Sequence, residues 1–193
     1  MYGEDLGNLL GQELGGHFET IVFNCLQGIE EVFDAQYHTA DLVAKDVATI
    51  FKMSEGKFGT DESGLFKLLC ARPSEHLKKV NLAYADKHDV TLFKVMETEL
   101  GGKTRDATLF LLGMKIKPYA TVAKLIKTAC KGVGTNEMLL SATLIRYQIC
   151  LKEVMAAYQE LYGQSLKETL KSEIGGDFRR LLTELCDATI LQL

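Results

Sequence analysis

Two carboxylates, Glu99 and Glu173, each stand at a nearly fixed distance behind a glycine-containing loop, and this pairing gives the sequence its means of doing chemistry. The loop Cys130-Lys131-Gly132-Val133-Gly134-Thr135 precedes Glu173, which lies 38 residues after Thr135. The segment Met53-Ser54-Glu55-Gly56-Lys57-Phe58-Gly59-Thr60 precedes Glu99, which lies 39 residues after Thr60. Glycine reaches backbone conformations that other residues avoid, so such loops can turn several carbonyls toward one point. Calcium takes about six to eight oxygens, commonly carbonyls with a bidentate carboxylate. Loop and distal Glu together therefore predict a split calcium site, provided that the intervening helices fold back as a hairpin. A single Gly-x-Gly-Thr is a common helix-to-helix turn, and the repetition of the pair is what favours the ion. Nucleotide binding at Gly132-Val133-Gly134 is disfavoured, because no third glycine follows, no strand precedes, and Lys131 lies before the loop.

Both carboxylates belong to a phrase that occurs three times: Glu13-Leu14-Gly15-Gly16, Glu99-Leu100-Gly101-Gly102 and Glu173-Ile174-Gly175-Gly176. A Leu stands seven residues before each Glu (Leu6, Leu92, Leu166), and Phe18 and Phe178 follow two of the copies. Such self-similarity marks an internal repeat. Gly59-Thr60 to Gly134-Thr135 spans 75 residues, Glu99 to Glu173 spans 74, and Glu13 to Glu99 spans 86. We assign the longer first interval to an acidic linker, residues 28–37. The expected organisation is the second half of a repeat in 1–27, the linker, and whole repeats in 38–113 and 114–193. Tyr2-Gly3-Glu4-Asp5-Leu6 matches Tyr162-Gly163-Gln164-Ser165-Leu166, past the midpoint of the last repeat, so the chain is expected to be N-terminally truncated. The loop belonging to Glu13 would then precede residue 1.

The elements that must position these groups read as helices throughout. Pro73 and Pro118 fall where helices would start. Leu77, Val80, Leu82 and Tyr84, and Val122, Leu125, Ile126 and Ala129, follow a helical period. Thr60 and Thr135 are expected to cap helices beginning at Asp61 and Asn136. Each cycle reads as five short helices. The five cysteines, Cys25, Cys70, Cys130, Cys150 and Cys186, contain no C-x-x-C and are read as reduced, buried small hydrophobes.

Composition narrows the function. A formal charge of -4 and pI near 5.6 argue against a nucleic-acid partner bound through a basic field. No run reaches the ~20 apolar residues of a membrane span, and residues 1–5 lack the charged and apolar regions of a signal peptide. A soluble cytoplasmic protein is expected. His17, His38, His76 and His88 fall at unmatched places, no Gly-x-Ser-x-Gly or His-Glu-x-x-His occurs, and no enzyme is expected. His76 is read as a helix-surface residue.

Gly-x-Gly-Thr-[Asp/Asn]-Glu, an Arg about a dozen residues on (Arg72, Arg146), a Tyr-rich third helix and Glu-x-Gly-Gly-x-Phe together resemble the annexin repeat over nearly the whole chain. Gly56-Lys57-Phe58-Gly59-Thr60-Asp61-Glu62 resembles the third annexin repeat, which makes residues 114–193 similar to the fourth. The resemblance implies an all-α fold of repeats of about five short helices in right-handed superhelical packing. It implies calcium ligands from the carbonyls of Cys130, Gly132 and Gly134 with the Glu173 carboxylate, and from the carbonyls of Ser54, Lys57 and Gly59 with Glu99. Weaker secondary sites would use Thr60 with Glu62 and Thr135 with Glu137, although both Glu residues could equally be first-turn acids favoured by the helix dipole. Cys130 stands where the family has Met, and residues 135–146 are one residue shorter than their counterpart 60–72.

The implied function is calcium-dependent, peripheral binding of acidic phospholipid membranes. Phe58 would press into the interface, or else pack against its own repeat. The alternative is a structural, cytoskeleton-associated protein with partly degenerate calcium sites. Annexin cores normally close four repeats into a disc. Truncation would therefore bare faces near Leu9, Leu10, Phe18, Ile21 and Val22 and promote self-association.

Overall fold

Each Glu-[Leu/Ile]-Gly-Gly phrase closes one helix and opens the next. In a computed structural model, which describes residues 5–54, 61–132 and 134–190, the Glu is three times the last residue of an eight-residue helix whose first residue is the matching Leu. These helices are α1 (Leu6–Glu13), α6 (Leu92–Glu99) and α11 (Leu166–Glu173). Asp5, Thr91 and Ser165 cap them, each side chain accepting a backbone N–H of the first turn. The Leu or Ile after the Glu is extended, and the second glycine takes a left-handed backbone (φ +60° at Gly16, +53° at Gly102, +58° at Gly176) that starts the following helix.

Among the described residues no strand occurs, and the fold is all-α. The remaining helices are α2 (Gly16–Leu26), α3 (Ala40–Ser54), α4 (Glu62–Ala71), α5 (Ser74–His88), α7 (Gly102–Ile116), α8 (Pro118–Ala129), α9 (Glu137–Arg146), α10 (Leu151–Tyr162) and α12 (Gly176–Ile190). A 3-10 turn, Gln148–Cys150, joins α9 to α10. The chain forms two compact units, residues 1–116 and 117–193.

In the first unit α3 packs on α4 and α5, α5 and α6 pack on α7, and α2 lies against α4 and α7. The core includes Val47, Ile50, Leu65, Phe66, Leu69, Leu77, Val80, Tyr84, Leu92, Met96 and Leu112. Ile21 is buried in it, and Phe18 and Val22 pack on its edge, so the face expected to be bare is covered at Ile21 and partly covered at Phe18 and Val22, where α2 lies against α4 and α7. In α5 the buried stripe is Leu77, Val80 and Tyr84, whereas Leu82, expected to share it, is 69% exposed because it turns to the other side of the helix.

A buried charged cluster secures the acidic linker. Arg72 donates through Nε to Asp46 Oδ2 at 2.6 Å and through Nη1 to Glu31 Oε1 at 2.9 Å. His76 Nε2 lies 2.9 Å from Asp46 Oδ2, and His38 Nε2 lies 3.0 Å from Glu31 Oε2. His76 is thus fully buried rather than on the helix surface, because Asp46 offers its ring a partner inside the unit. Burial holds the His76 imidazole below its ordinary pKa against the opposing pull of Asp46. Glu31 stays low despite partial burial, since it accepts hydrogen bonds from Arg72 and His38.

The second unit repeats the same helix pairings: α8 against α9 and α10, and α11 and α10 against α12. Its core contains Val122, Ile126, Leu140, Leu144, Leu151, Val154, Tyr158, Leu166, Leu170 and Leu182. Met138, Ile145, Ile149 and Leu181 of this unit are exposed.

Candidate calcium site

In the second unit the loop and the residue that bears its distal carboxylate come together. The loop leaves α8 at Cys130, whose backbone N–H still bonds Ile126, and it closes where Asn136 N–H donates to the Ala129 carbonyl at 2.8 Å. Gly132 (φ +113°) and Gly134 (φ +87°) both lie in the region that glycine enters at no steric cost, and a Cβ at either would meet nothing within 4 Å. Thr135 Oγ1 donates to the Glu173 backbone carbonyl at 3.2 Å, across 38 residues of sequence, which ties the loop to the end of α11. Thr135 does not cap α9 as expected. Asn136 does, accepting Leu139 N–H at 3.0 Å, because the amide oxygen one residue later reaches the first-turn donor.

Two features upstream bring Glu173 to this place. Tyr158 O–H donates to Thr169 at 3.0 Å and joins α10 to α11, while the Ser165–Glu168 capping box fixes where α11 starts. The Glu173 side chain is exposed and makes no ion pair among the described residues. Its charge adds to burial in pushing up the thiol of Cys130, and it contributes in the same sense at the Tyr158 phenol, so it acts electrostatically on the start of the loop.

The first unit has the same frame around a loop that is mostly outside the described residues. Ser54 ends α3 with its hydroxyl on the Ile50 carbonyl at 2.8 Å, and Asp61 N–H donates to the Met53 carbonyl at 2.9 Å, so the loop's two ends meet. Lys57, Phe58, Gly59 and Thr60 lie outside the described residues. The cap of α4 is Asp61, accepting Gly64 N–H at 3.1 Å. Asn81 Oδ1 accepts Leu92 N–H at 3.2 Å, which sets the start of α6 and hence the place of Glu99, an exposed residue at its end.

Glu62 and Glu137 are the first residues of α4 and α9, where an acid favours the helix dipole. The Glu62 carboxylate is also 3.8 Å from His17 Nε2. Among the described residues no cluster of three His, Cys, Asp or Glu side chains could hold a metal. The donors that the sequence assigns to the second-unit loop, carbonyls with a single carboxylate, are a set that suits a hard, oxygen-seeking cation and not zinc or copper.

A family model described as Annexin matches residues 45–111 and 121–185, and the chain belongs to the annexin family. Mouse annexin A13 is 32% identical over 146 residues, covering 75% of this chain and 45% of the relative. Annexin A7 of Dictyostelium discoideum is 26% identical over 185 residues, 95% of this chain and 39% of the relative. The solved structure of annexin III superposes with a TM-score of 0.84 at 25% identity, covering 96% of this chain and 57% of that one. The chain thus spans about two fifths to little more than half the length of the relatives it matches.

Proposed function

We propose that this chain binds acidic phospholipid surfaces peripherally and in a calcium-dependent manner, as annexins do as a family. The observation that carries this reading is the hydrogen bond from Thr135 to the Glu173 backbone carbonyl, which joins a glycine loop to the residue whose carboxylate is otherwise far off in sequence. The carbonyls of Cys130, Gly132 and Gly134 and the carboxylate of Glu173 hold one calcium ion. The carbonyls of Ser54, Lys57 and Gly59 with Glu99 hold another. Three neutral donors and one carboxylate leave coordination positions open and bind the ion weakly alone. Lipid phosphate oxygens fill those positions, so calcium and membrane raise each other's affinity by linkage. Thr60 with Glu62 and Thr135 with Glu137 serve as secondary sites, and Phe58 enters the interfacial region. The repeat organisation, 1–27, 28–37, 38–113 and 114–193, belongs to the same reading.

The test is sedimentation with phosphatidylserine vesicles. Pelleting is expected in calcium, reversed by chelator and strongly reduced in the Glu99→Gln/Glu173→Gln double variant. Pelleting that ignores calcium, or none in its presence, would sink the proposal.

A further inference from the structure

Cys25 and Cys70 form a thiol pair outside the calcium loops. Cys25 lies in the last turn of α2 and Cys70 in the last turn of α4, two helices that pack together. Their Sγ atoms are 3.7 Å apart although the residues are 45 positions apart in sequence. Cys25 is exposed and Cys70 buried, which departs from the uniform burial that the sequence suggests for the cysteines.

Lys115, itself buried, donates through Nζ to the carbonyls of Cys70 at 2.8 Å and Arg72 at 2.7 Å. Its ammonium is thereby held at the end of α4. Hydrogen bonding with Cys70, with help from the Lys115 charge and against partial burial, brings the Cys25 thiol down to about 7. Cys70, bonded to Cys25 and buried, is pushed well up. Burial also raises the thiols of Cys130, Cys150 and Cys186, the last to about 11. Of the five thiols, Cys25 alone is exposed, and it alone is shifted downward.

We propose that Cys25 is a peroxide-reactive thiol and Cys70 its resolving partner, so that a hydroperoxide oxidant cross-links α2 to α4 through a reversible disulfide. The Cys25 thiolate attacks one peroxide oxygen, the O–O bond breaks, and with hydrogen peroxide the products are a sulfenic acid and hydroxide. The Cys70 sulfur then attacks the Cys25 sulfur, the S–O bond breaks, and the sulfenic oxygen leaves as water with the Cys70 proton. Two thiols and one peroxide thus yield one disulfide and two waters, with two electrons passing to the peroxide. In the second step the Lys115 ammonium favours the Cys70 thiolate, and Glu30, paired with that ammonium at 3.2 Å, opposes it. Closing the bond requires the sulfurs to move from 3.7 Å to about 2.05 Å, within reach of side-chain rotation and a small shift of two packed helices. Dithiol reductants restore the pair by thiol–disulfide exchange.

The experiment treats the full chain with one equivalent of hydrogen peroxide at neutral pH, blocks remaining thiols with iodoacetamide, and maps peptides by mass spectrometry without reductant. The expected result is a Cys25–Cys70 linked peptide, two hydrogens lighter than its two thiol components and lost on adding dithiothreitol. In Cys25→Ser the linked peptide is absent, and in Cys70→Ser oxidation stalls at a Cys25 sulfenic acid that dimedone traps. The wild-type map needs no variant to fold. First oxidation at another cysteine, overoxidation of Cys25 with Cys70 still alkylated, or a Cys25–Cys25 dimer as the main product would each overturn the proposal.

Discussion

The Arg72 guanidinium faces two carboxylates, with Asp46 buried and Glu31 closing the other side. Arg146, which the motif pairs with it, is the last residue of α9, the place Ala71 holds in α4, and it is exposed with its guanidinium 5.9 Å from the Tyr147 ring centroid. The acid is missing as well: Asp46 precedes Ser54 by eight residues, and the buried Val122 precedes Cys130 by the same distance, so no acid at that place draws Arg146 inward. Removing one partner of a buried pair leaves an uncompensated charge and costs about 3–5 kcal/mol, whereas an exposed substitution usually stays within about 0.5 kcal/mol. Arg72→Ala should therefore destabilise by about 3–5 kcal/mol and Arg146→Ala by about 0.5 kcal/mol or less in urea titrations. Equal losses would refute the assignment. The motif spacing that links the two Arg residues could not separate them, since Arg72 meets partners 26 and 41 positions away. A charged Asp46 between the buried Val43, Val47 and Ile50 is the signal that could have betrayed the cluster.

The phrase Glu-[Leu/Ile]-Gly-Gly encodes a corner between helices, and its two glycines are not equivalent. Gly102 has φ +53° while Gly101 lies outside the left-handed region, and a Cβ at either would find nothing within 4 Å. Substitution therefore tests backbone conformation and not space. An L-residue in the left-handed conformation costs about 1–2 kcal/mol, so Gly102→Ala should lower stability by about that much. Gly101→Ala should be neutral or stabilise by up to about 1 kcal/mol, through the reduced freedom of the unfolded chain. Identical effects of the two changes, read from denaturant midpoints at constant m-value, would contradict this account. These helix ends were legible because Leu, Glu and paired glycines act locally. The caps, Asp61 and Asn136, fall one residue after Thr60 and Thr135, since Thr, Asp and Asn are all good caps and only geometry chooses among neighbours. At the candidate site, the spacing of Glu173 from its loop was legible, while the Thr135 bond that joins them was not.

Over the whole chain the histidines are unevenly divided. All four histidines lie in residues 1–116, and residues 117–193 contain none. His76 is held below its ordinary value of 6.5 by burial, with Asp46 bonded to its Nε2, His38 5.0 Å away ring to ring, and Arg72 beyond. Below pH 6.5 the unfolded chain therefore takes up more protons at this residue than the folded one, and stability falls as pH drops. Cys25 acts in the same sense: its folded value of about 7 lies below the ordinary 9.0, so the stability it contributes above pH 9 is lost as pH falls through about 7. In the second unit the shifted thiols and phenols move upward and stay protonated at neutral pH, and the lowered carboxyl of Glu168 titrates only below its ordinary 4.5. Mild acid should thus loosen one unit ahead of the other. Hydrogen exchange read by peptide at pH 7.5 and 5.5, after correction for intrinsic rates, is expected to show lost protection in α3–α5 and little change in α8–α12. An equal loss in both units would mean that acid acts on groups other than His76 and Cys25.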